Sequence, residues 1–303
     1  MIYNKITETI GNTPVLRFRE FETEGSAEIY GKLEFFNPGG SIKDRIASFI
    51  MEEMKKEGKI KPGDTIVEPT SGNTGIGIAM SAAANGFKAV MVMPDTMSVE
   101  RQKILKAYGA EIVLTPGKLG MNGAVEEAER LVRDKGYIMF DQFNNTKNPK
   151  AHENSTALEI INDFESLDAF VAGVGTGGTI MGNGPALKKH YSDIEIVAVE
   201  PDVSAILSGE KPGPHKIQGI GANFIPSIVD TDTFDKIEKI SSEDAYKNAV
   251  LSAATTGVML GISGGAALSA AIKTAKRLGK GKKVLFIAPD NGERYLSTDL
   301  YSV

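Results

Sequence analysis

A lysine near the start of a predicted helix is the first residue of this chain that could do chemistry. In EFFNPGGSIKDR, residues 37–40 break an apolar run and Ser41 stands where a helix can begin, so Lys43 falls in its first turn. A helix N-terminus favours anions, so an ammonium group there is disfavoured unless something compensates for it. Lys43 is therefore either a solvated lysine beside Asp44 or a lysine that is neutralised or bonded.

A glycine-rich loop, GVGTGGT at residues 173–179, follows a predicted apolar strand and precedes a predicted helix. Glycine lets the backbone approach an anion, the helix N-terminus offers N–H groups, and Thr176 and Thr179 add hydroxyl donors, which is typical of a phosphate site. The loop also satisfies the dinucleotide pattern GxGxxG, with Glu200 at the end of the next strand. A NAD-binding oxidoreductase and a purely structural turn therefore stay open.

Two further loops place hydroxyl groups at helix starts. TSGNTG, residues 70–75, can present hydroxyl and N–H groups to a small anion such as a carboxylate, although Ser71 or Thr74 can also be a plain helix cap. GISGGA, residues 261–266, opens a later helix, and Ser263 taken alone is most simply a cap. A reactive lysine, a phosphate site and a carboxylate site together suit pyridoxal phosphate chemistry.

The elements that must position these loops alternate between strands and helices. Strands are predicted over residues 65–67, 88–93, 111–114, 137–140, 169–174, 194–199 and 284–288. Helices are predicted over 41–58, 75–85, 98–107, 125–135, 155–164, 178–190, 242–254 and 263–278, and loops that line the site over 201–233. This alternation predicts parallel sheets covered on both faces, with ligands at the carboxyl ends of the strands. We expect two α/β domains, 1–145 and 146–303.

Composition limits the classes of function. The chain has 303 residues and a net charge of −5, so it offers no overall basic field for nucleic acid or a membrane. It has no cysteine and three scattered histidines, which disfavours disulfides, a cysteine nucleophile and a metal site. The N-terminal residues lack a signal-type apolar core, so we expect a cytoplasmic protein.

Five motifs, in this order and near this spacing, resemble the cysteine synthase (O-acetylserine sulfhydrylase) and cystathionine β-synthase family. They are NPGGSIKDR, EPTSGNTG, GVGTGGT, HKIQGIGA and GISGGAA, and the resemblance runs from Ile10 to Tyr295. It implies fold type II of the pyridoxal phosphate enzymes, similar to the β subunit of tryptophan synthase. That fold has two open, twisted, mostly parallel-sheet α/β domains with the site in the cleft between them.

The resemblance also implies a role for each matching residue. Lys43 would form the internal aldimine with pyridoxal 5'-phosphate and shuttle the Cα proton, and Ser263 would face the pyridine nitrogen. The other implied cofactor-binding residues are Asn73, Gly175, Thr176, Gly177, Gly178 and Thr179. The implied substrate-binding residues are Thr70, Ser71, Gly72, Thr74, Gln142 and Gly219.

The implied reaction is β-replacement on O-acetyl-L-serine through an α-aminoacrylate, with sulfide as the acceptor and L-cysteine as the product. A neutral hydroxyl opposite the pyridine nitrogen suits it, because the weaker electron sink lets loss of a β-leaving group compete well. A catalytically silent regulatory partner that retains the fold is the other rival interpretation.

The motifs give conflicting indications of which sulfur compound is the acceptor substrate. EFFNPGG and NPKAHENSTALE, residues 148–159, are closer to cystathionine β-synthases, whereas HKIQGIGA and GERYLST are closer to cysteine synthases. We therefore expect an enzyme that accepts sulfide and also homocysteine. The alternative is a cystathionine β-synthase that uses O-acetylserine or serine as the donor. The resemblance further implies a homodimer, with serine acetyltransferase as a protein partner.

Overall fold

The computed structural model describes residues 1–302 and consists of two compact units. One unit contains Met1–Ile10 and Asn37–Lys147, and the other contains Gly11–Phe36 and the chain from Asn148 onward. The strands are β1 (Val15–Arg17), β2 (Glu28–Leu33), β3 (Thr65–Pro69), β4 (Lys88–Pro94), β5 (Glu111–Thr115), β6 (Ile138–Met139), β7 (Ala169–Gly173), β8 (Glu195–Pro201), β9 (Lys236–Ile240) and β10 (Lys283–Ala288).

The helices are α1 (Lys43–Lys56), α2 (Asn73–Asn85), α3 (Val99–Ala107), α4 (Gly120–Lys135), α5 (Lys147–Glu153), α6 (Thr156–Asp163), α7 (Gly178–His190), α8 (Ser242–Thr256) and α9 (Ile262–Leu278). Strands and helices alternate along most of the chain, as predicted, and the mostly parallel α/β fold class is confirmed. Among the helices of residues 1–302, none combines the length and the apolar character that crossing a membrane requires.

The first unit contains a four-stranded parallel sheet in the order β5-β4-β3-β6. Helix α4 packs its small and apolar face, including Ala124, Ala128 and Leu131, against Val67 and Val90 of the sheet. The chain moves outward from β3 to β5 and then returns to place β6 on the other side of β3. The sheet therefore has a topological switch point between β3 and β6, and the loops after these two strands leave from the same edge.

The second unit contains a six-stranded sheet in the order β1-β2-β10-β7-β8-β9, in which only β1 runs antiparallel to its neighbour. Its central strands β10, β7 and β8 are buried on both faces, as expected for strands covered by helices. Strands β7, β8 and β9 follow one another outward, and β10 then lies on the other side of β7. The switch point of this sheet is between β7 and β10, so the glycine-rich loop after β7 leaves from it.

The segment Gly11–Phe36 belongs to the second unit, whereas the predicted first domain ran over residues 1–145. It is held there because β2 pairs in parallel with β10 along its whole length, from Glu28 to Leu33. In addition, the fully buried Lys32 of β2 places its Nζ atom 3.0 Å from Glu159 Oε2 on α6 and 2.9 Å from the Thr13 carbonyl oxygen. The later change of unit, at Lys147–Asn148, lies close to the predicted boundary.

The short strands β1 and β2 were expected only as extended pieces without bounds, strand β9 and helix α5 were absent from the prediction, and helix α4 was predicted too short. Strand β9 (KIEKI) lies at the edge of its sheet and carries charged residues, so it has no continuous apolar run. Helix α5 contains Pro149 in its first turn, where proline is tolerated. It was missed because proline among polar residues is also typical of a linker. Helix α4 begins at Gly120 rather than at residue 125, because glycine is a weak helix former and gave no signal.

A buried glutamate joins the ends of β3 and β6. Glu68 is 1 % exposed, and its Oε2 and Oε1 atoms accept hydrogen bonds from the backbone N–H groups of Asp141 at 2.9 Å and Gln142 at 3.4 Å. Burial raises the pKa of Glu68 to about 8, although these two hydrogen bonds act in the opposite direction. The folded protein therefore holds a proton on this carboxyl group at pH values where an unfolded chain does not.

We predict that Glu68 makes the free energy of unfolding fall as the pH rises. The folded pKa of about 8 lies above the ordinary value of 4.5, so the stabilising contribution is complete below about pH 4.5 and is lost as the pH rises through about 8. One such group gives a slope of at most about 1.4 kcal/mol per pH unit. Urea unfolding of the wild type and of Glu68→Gln across this window isolates the effect. Parallel pH profiles of the two proteins would contradict the prediction.

Candidate active site

The loops after β3 and β6 meet at the switch point of the first unit. The Thr74 hydroxyl donates a hydrogen bond of 2.6 Å to Oε1 of Gln142, and both side chains are buried. The N-cap of α2 is Gly72, which has no side chain to offer, so the interpretation of Ser71 or Thr74 as a plain helix cap is wrong. Thr70 accepts a bond from the Gly72 N–H at 3.2 Å, which shapes the loop. The structure thus brings together the predicted carboxylate-binding residues from two loops.

Lys43 is the first residue of α1 and is half-buried. Its carbonyl oxygen would lie 3.0 Å from a Cβ atom built at Gly77, so a glycine is needed for the close packing of α1 on α2. Gly77 follows Asn73 by about one helical turn, so the beginnings of α1 and α2 lie side by side. Asp44 is fully buried, and its Oδ2 accepts a hydrogen bond of 2.6 Å from the Gly39 N–H. A solvated Lys43–Asp44 surface pair is therefore excluded.

The glycine-rich loop of the second unit is closely packed on its protein side. A Cβ atom at Gly175 would overlap the carbonyl oxygen of Gly219, and one at Gly178 would overlap the Asn148 side chain. Gly177 has a φ of +86°, which a residue with a side chain rarely adopts. Glycine is thus required by geometry at residues 175, 177 and 178, and α7 begins at Gly178 with its first N–H groups at the loop.

Two side chains of α5 hold the hydroxyl groups of this loop. Asn148 Nδ2 donates to Thr176 Oγ1 at 3.1 Å, and His152 Nε2 lies 3.4 Å from Thr179 Oγ1. Asn148 and His152 are both about 1 % exposed. Neither Asn148 nor His152 was predicted to contact this loop, because helix α5 was not predicted. The only available signal was that NPKAH belongs to the same predicted domain as the loop.

The second unit also brings Ser263 to the same place. Ser263 is 4 % exposed and lies in the first turn of α9, whose N-cap is Gly261, so the interpretation of Ser263 as a helix cap is wrong. A Cβ atom at Gly219 would lie 3.5 Å from Ser263 Oγ. Gly175 packs on the carbonyl oxygen of the same Gly219. The predicted site residues Gly175, Gly219 and Ser263 therefore lie next to one another.

A dinucleotide site would depend on the acidic residue Glu200. In the structure, Glu200 instead binds the loop that follows β8. Its oxygens accept hydrogen bonds from the N–H of Leu207 at 2.8 Å, the N–H of Ser208 at 3.1 Å and the Ser208 hydroxyl at 2.6 Å. These bonds fix the loop after β8 to the end of the strand. They leave the GxGxxG pattern without the acidic partner that a ribose would need.

Each unit, taken by itself, carries donors that suit pyridoxal phosphate chemistry. In the second unit, a glycine loop and two hydroxyl groups at a helix N-terminus suit a phosphate, and a neutral hydroxyl lies nearby. In the first unit, a half-buried lysine lies beside the start of α2, close to a hydroxyl and amide loop. Within residues 1–302 there is no group of three or more His, Cys, Asp or Glu side chains that could hold a metal ion.

Comparison with known proteins agrees with this donor set. A model of the family described as pyridoxal-phosphate dependent enzyme matches residues 6–290. The chain is 55 % identical over 301 residues to cysteine synthase from Staphylococcus aureus, covering 99 % of this chain and 97 % of that protein.

Two solved structures have the same fold. O-acetylserine sulfhydrylase isoform 3 from Entamoeba histolytica is 45 % identical, with a TM-score of 0.97 and coverage of 100 % of this chain and 92 % of that one. The O-acetylserine dependent cystathionine β-synthase from Helicobacter pylori is 40 % identical, with a TM-score of 0.92 and coverage of 99 % of both chains.

These matches confirm the resemblance that the five motifs predicted. They extend over nearly the whole chain rather than over isolated loops. The chain therefore belongs to the family of pyridoxal-phosphate dependent enzymes.

Proposed function

We propose that this protein catalyses β-replacement on O-acetyl-L-serine, with sulfide as the acceptor and L-cysteine as the product. The observation that carries the proposal is the buried, neutral hydroxyl of Ser263 beside Gly219 and the glycine-rich loop. A hydroxyl opposite the pyridine nitrogen does not stabilise a pyridinium as a carboxylate would. Loss of a β-leaving group then competes with racemisation and transamination. The identity to cysteine synthase from Staphylococcus aureus supports the same choice of reaction.

Two sets of residues would hold the cofactor. The phosphate-binding set is Gly175, Thr176, Gly177, Gly178 and Thr179, and the remaining cofactor contacts are Lys43, Asn73 and Ser263. Bound pyridoxal phosphate supplies an electron sink for the α carbon of an amino acid. The position of this glycine loop at the N-terminus of α7 supports the phosphate assignment, because free N–H groups at a helix start suit an anion.

Lys43 is the general base and acid of the proposed reaction. Its amine removes the proton from the α carbon of the donor and later returns it to the same atom. Its position at the beginning of α1, beside the start of α2, supports this role, because Asn73 and the carboxylate loop leave from there. An ammonium group at a helix N-terminus is also destabilised relative to the neutral amine that a base requires.

The carboxylate of the donor would bind to the loop after β3 and to Gln142. The set is Thr70, Ser71, Gly72 and Thr74 with Gln142, and Gly219 would line the far wall. The hydrogen bond from the Thr74 hydroxyl to Gln142 Oε1 supports the assignment, because it holds polar side chains of two different loops at one place. When this loop covers the bound substrate, it excludes water from the reacting atoms.

Homocysteine is the second candidate acceptor. The segment NPKAHENSTALE resembles that of cystathionine β-synthases, and the Helicobacter pylori relative is named as an O-acetylserine dependent enzyme of that kind. The corresponding donors are O-acetylserine and serine. We also propose a cytoplasmic homodimer, with serine acetyltransferase as a protein partner; both follow from the resemblance, and size-exclusion chromatography with light scattering measures the oligomeric state.

We predict that sulfide is the better acceptor. With O-acetylserine as the donor, kcat/KM for sulfide should exceed kcat/KM for homocysteine by about tenfold or more, which corresponds to a modest difference in transition-state free energy. Steady-state rates of L-cysteine and cystathionine formation measure both values in one preparation. A larger kcat/KM for homocysteine would make cystathionine β-synthase the main activity.

A second prediction concerns Ser263. Replacing it by aspartate places a negative charge where the pyridine nitrogen would lie, so Ser263→Asp should lower the rate of L-cysteine formation by about tenfold or more while side reactions at the α carbon rise. Ser263→Ala is the matched control, since it removes the hydroxyl without adding a charge and should retain more of the activity. If both variants lose the same activity, the neutral charge of Ser263 is not what selects the reaction.

A further inference from the structure

The hydroxyl group of Thr176 is held by one side-chain donor and one backbone donor. Asn148 Nδ2, on α5, donates to Thr176 Oγ1 at 3.1 Å, and the Gly178 N–H, at the start of α7, donates to the same oxygen at 3.4 Å. Asn148 is 1 % exposed and Thr176 is 7 % exposed, so water does not compete freely for these bonds. The oxygen of this hydroxyl group is therefore used as an acceptor on its protein side.

The two bonds fix the direction of the hydroxyl hydrogen. A hydroxyl group has one hydrogen to donate and two lone pairs that can accept. Because the two N–H groups occupy the lone pairs of Thr176 Oγ1, its hydrogen must point away from Asn148 and Gly178. Accepting these bonds also makes the O–H group a stronger donor. Toward a ligand in the glycine-rich loop, Thr176 is thus left with the role of a donor.

Asn148 is held in place by the close packing of α5 against α7. A Cβ atom built at Gly178 would overlap the amide group of Asn148, so only glycine leaves room for the amide there. A Cβ atom at Gly182, one turn further along α7, would overlap the carbonyl oxygen of Pro149. These two glycines therefore let α5 come close enough for the amide to reach Thr176.

The direction of this hydroxyl group matters for an anion. The oxygen atoms of a phosphate accept hydrogen bonds, and bonds to a charged group are stronger than bonds between neutral groups. A threonine hydroxyl that rotates freely can turn either its hydrogen or a lone pair toward the anion, and a lone pair would repel it. An amide that occupies the lone pair from behind removes the unfavourable orientation before the anion binds.

We propose that Asn148 is a positioning residue for the phosphate of the cofactor: its amide occupies a lone pair of Thr176 Oγ1 and so fixes the threonine hydroxyl as a donor to the anion. This rests on the proposed function, in which the glycine-rich loop binds that phosphate. Asn148 acts through Thr176 and does not itself bind the phosphate.

The test compares pyridoxal phosphate with pyridoxal, which lacks the phosphate. The full-length protein is freed of cofactor, and each compound is titrated into the wild type and into Asn148→Leu while the absorbance of the bound compound is recorded. Leucine has nearly the same size as asparagine but no N–H to donate, so the Thr176 hydroxyl can rotate. The Kd for pyridoxal phosphate should rise about tenfold, and the Kd for pyridoxal should stay within about twofold. An equal rise for both compounds, or no rise for pyridoxal phosphate, would overturn the proposal.

Asn248→Leu is the matched control. Asn248 Nδ2 donates to Ser269 Oγ at 2.7 Å, so it too is an amide that bonds a hydroxyl oxygen, but it joins α8 to α9. Its replacement should leave the Kd values of both compounds unchanged. If Asn248→Leu weakens binding of pyridoxal phosphate as much as Asn148→Leu does, the effect is a general loosening of this unit and the proposal fails.

A double-variant cycle with Thr176→Val shows whether Asn148 acts through the threonine hydroxyl. Valine keeps the shape of threonine and removes the hydroxyl group, so Thr176→Val should by itself raise the Kd for pyridoxal phosphate. In this background Asn148→Leu should have no further effect, because the group that Asn148 orients is gone. A further rise as large as that in the wild-type background would refute the orienting role.

Asn148→Ala is the second variant if Asn148→Leu folds poorly, which urea unfolding shows. Alanine removes the amide without placing a branched side chain beside Gly178, and the same selective loss of pyridoxal phosphate binding is expected. An alanine variant that binds pyridoxal phosphate as tightly as the wild type does would refute the role of Asn148.

The wild type separates this proposal from the proposed function. If the wild type binds pyridoxal phosphate no more tightly than pyridoxal, the glycine-rich loop does not bind a phosphate and the proposed cofactor site fails. If the wild type strongly prefers pyridoxal phosphate and the variants of Asn148 keep the full preference, the cofactor site stands and the role of Asn148 is refuted.

Discussion

The hydrogen-bonded ladders of the two parallel sheets are the constraint on which the rest of the structure depends. Parallel pairing makes neighbouring strands end at the same edge, and a reversal in strand order opens a place there where two loops diverge. In the first unit this place is between β3 and β6, and it holds Thr74 and Gln142. In the second unit it is between β7 and β10, and the glycine-rich loop leaves from it. The places of the proposed carboxylate and phosphate sites are thus consequences of strand order before any side chain is considered.

Close backbone packing explains why so many site positions are glycine. Gly175 and Gly178 cannot carry a Cβ atom because Gly219 and Asn148 occupy that space, and Gly77 lets α2 approach the first residue of α1. The same packing leaves the helix N-termini of α1, α2, α7 and α9 at or near predicted site residues. N–H groups at such termini favour anions, which suits a phosphate and a carboxylate and makes the lysine at the start of α1 unusual.

The sequence was sufficient to indicate those parts of the proposed site that depend on local chemistry. The glycine loop, the hydroxyl loop and Lys43 each lie at a strand-to-helix or loop-to-helix junction, where composition and order along the chain are informative. Contacts between distant residues could not be predicted in this way: the pairing of β2 with β10, the approach of Gly219 to Ser263 and the bonds of Glu68 all join segments far apart in sequence. Single-residue capping arguments failed at Thr74 and Ser263, because tertiary partners and not the local helix decide how a buried hydroxyl is used.

The central claim is that Lys43 moves the α-carbon proton in a β-replacement reaction. The most direct measurement is the rate of L-cysteine formation from O-acetylserine and sulfide by the Lys43→Ala variant and by the wild type, with the bound pyridoxal phosphate quantified in both. We predict that the rate of L-cysteine formation falls by at least about 10³-fold in Lys43→Ala, which is in the range expected for a general acid and base. The glycine-rich loop should keep the cofactor bound in this variant. Turnover within about tenfold of the wild type, with the cofactor bound, would contradict it.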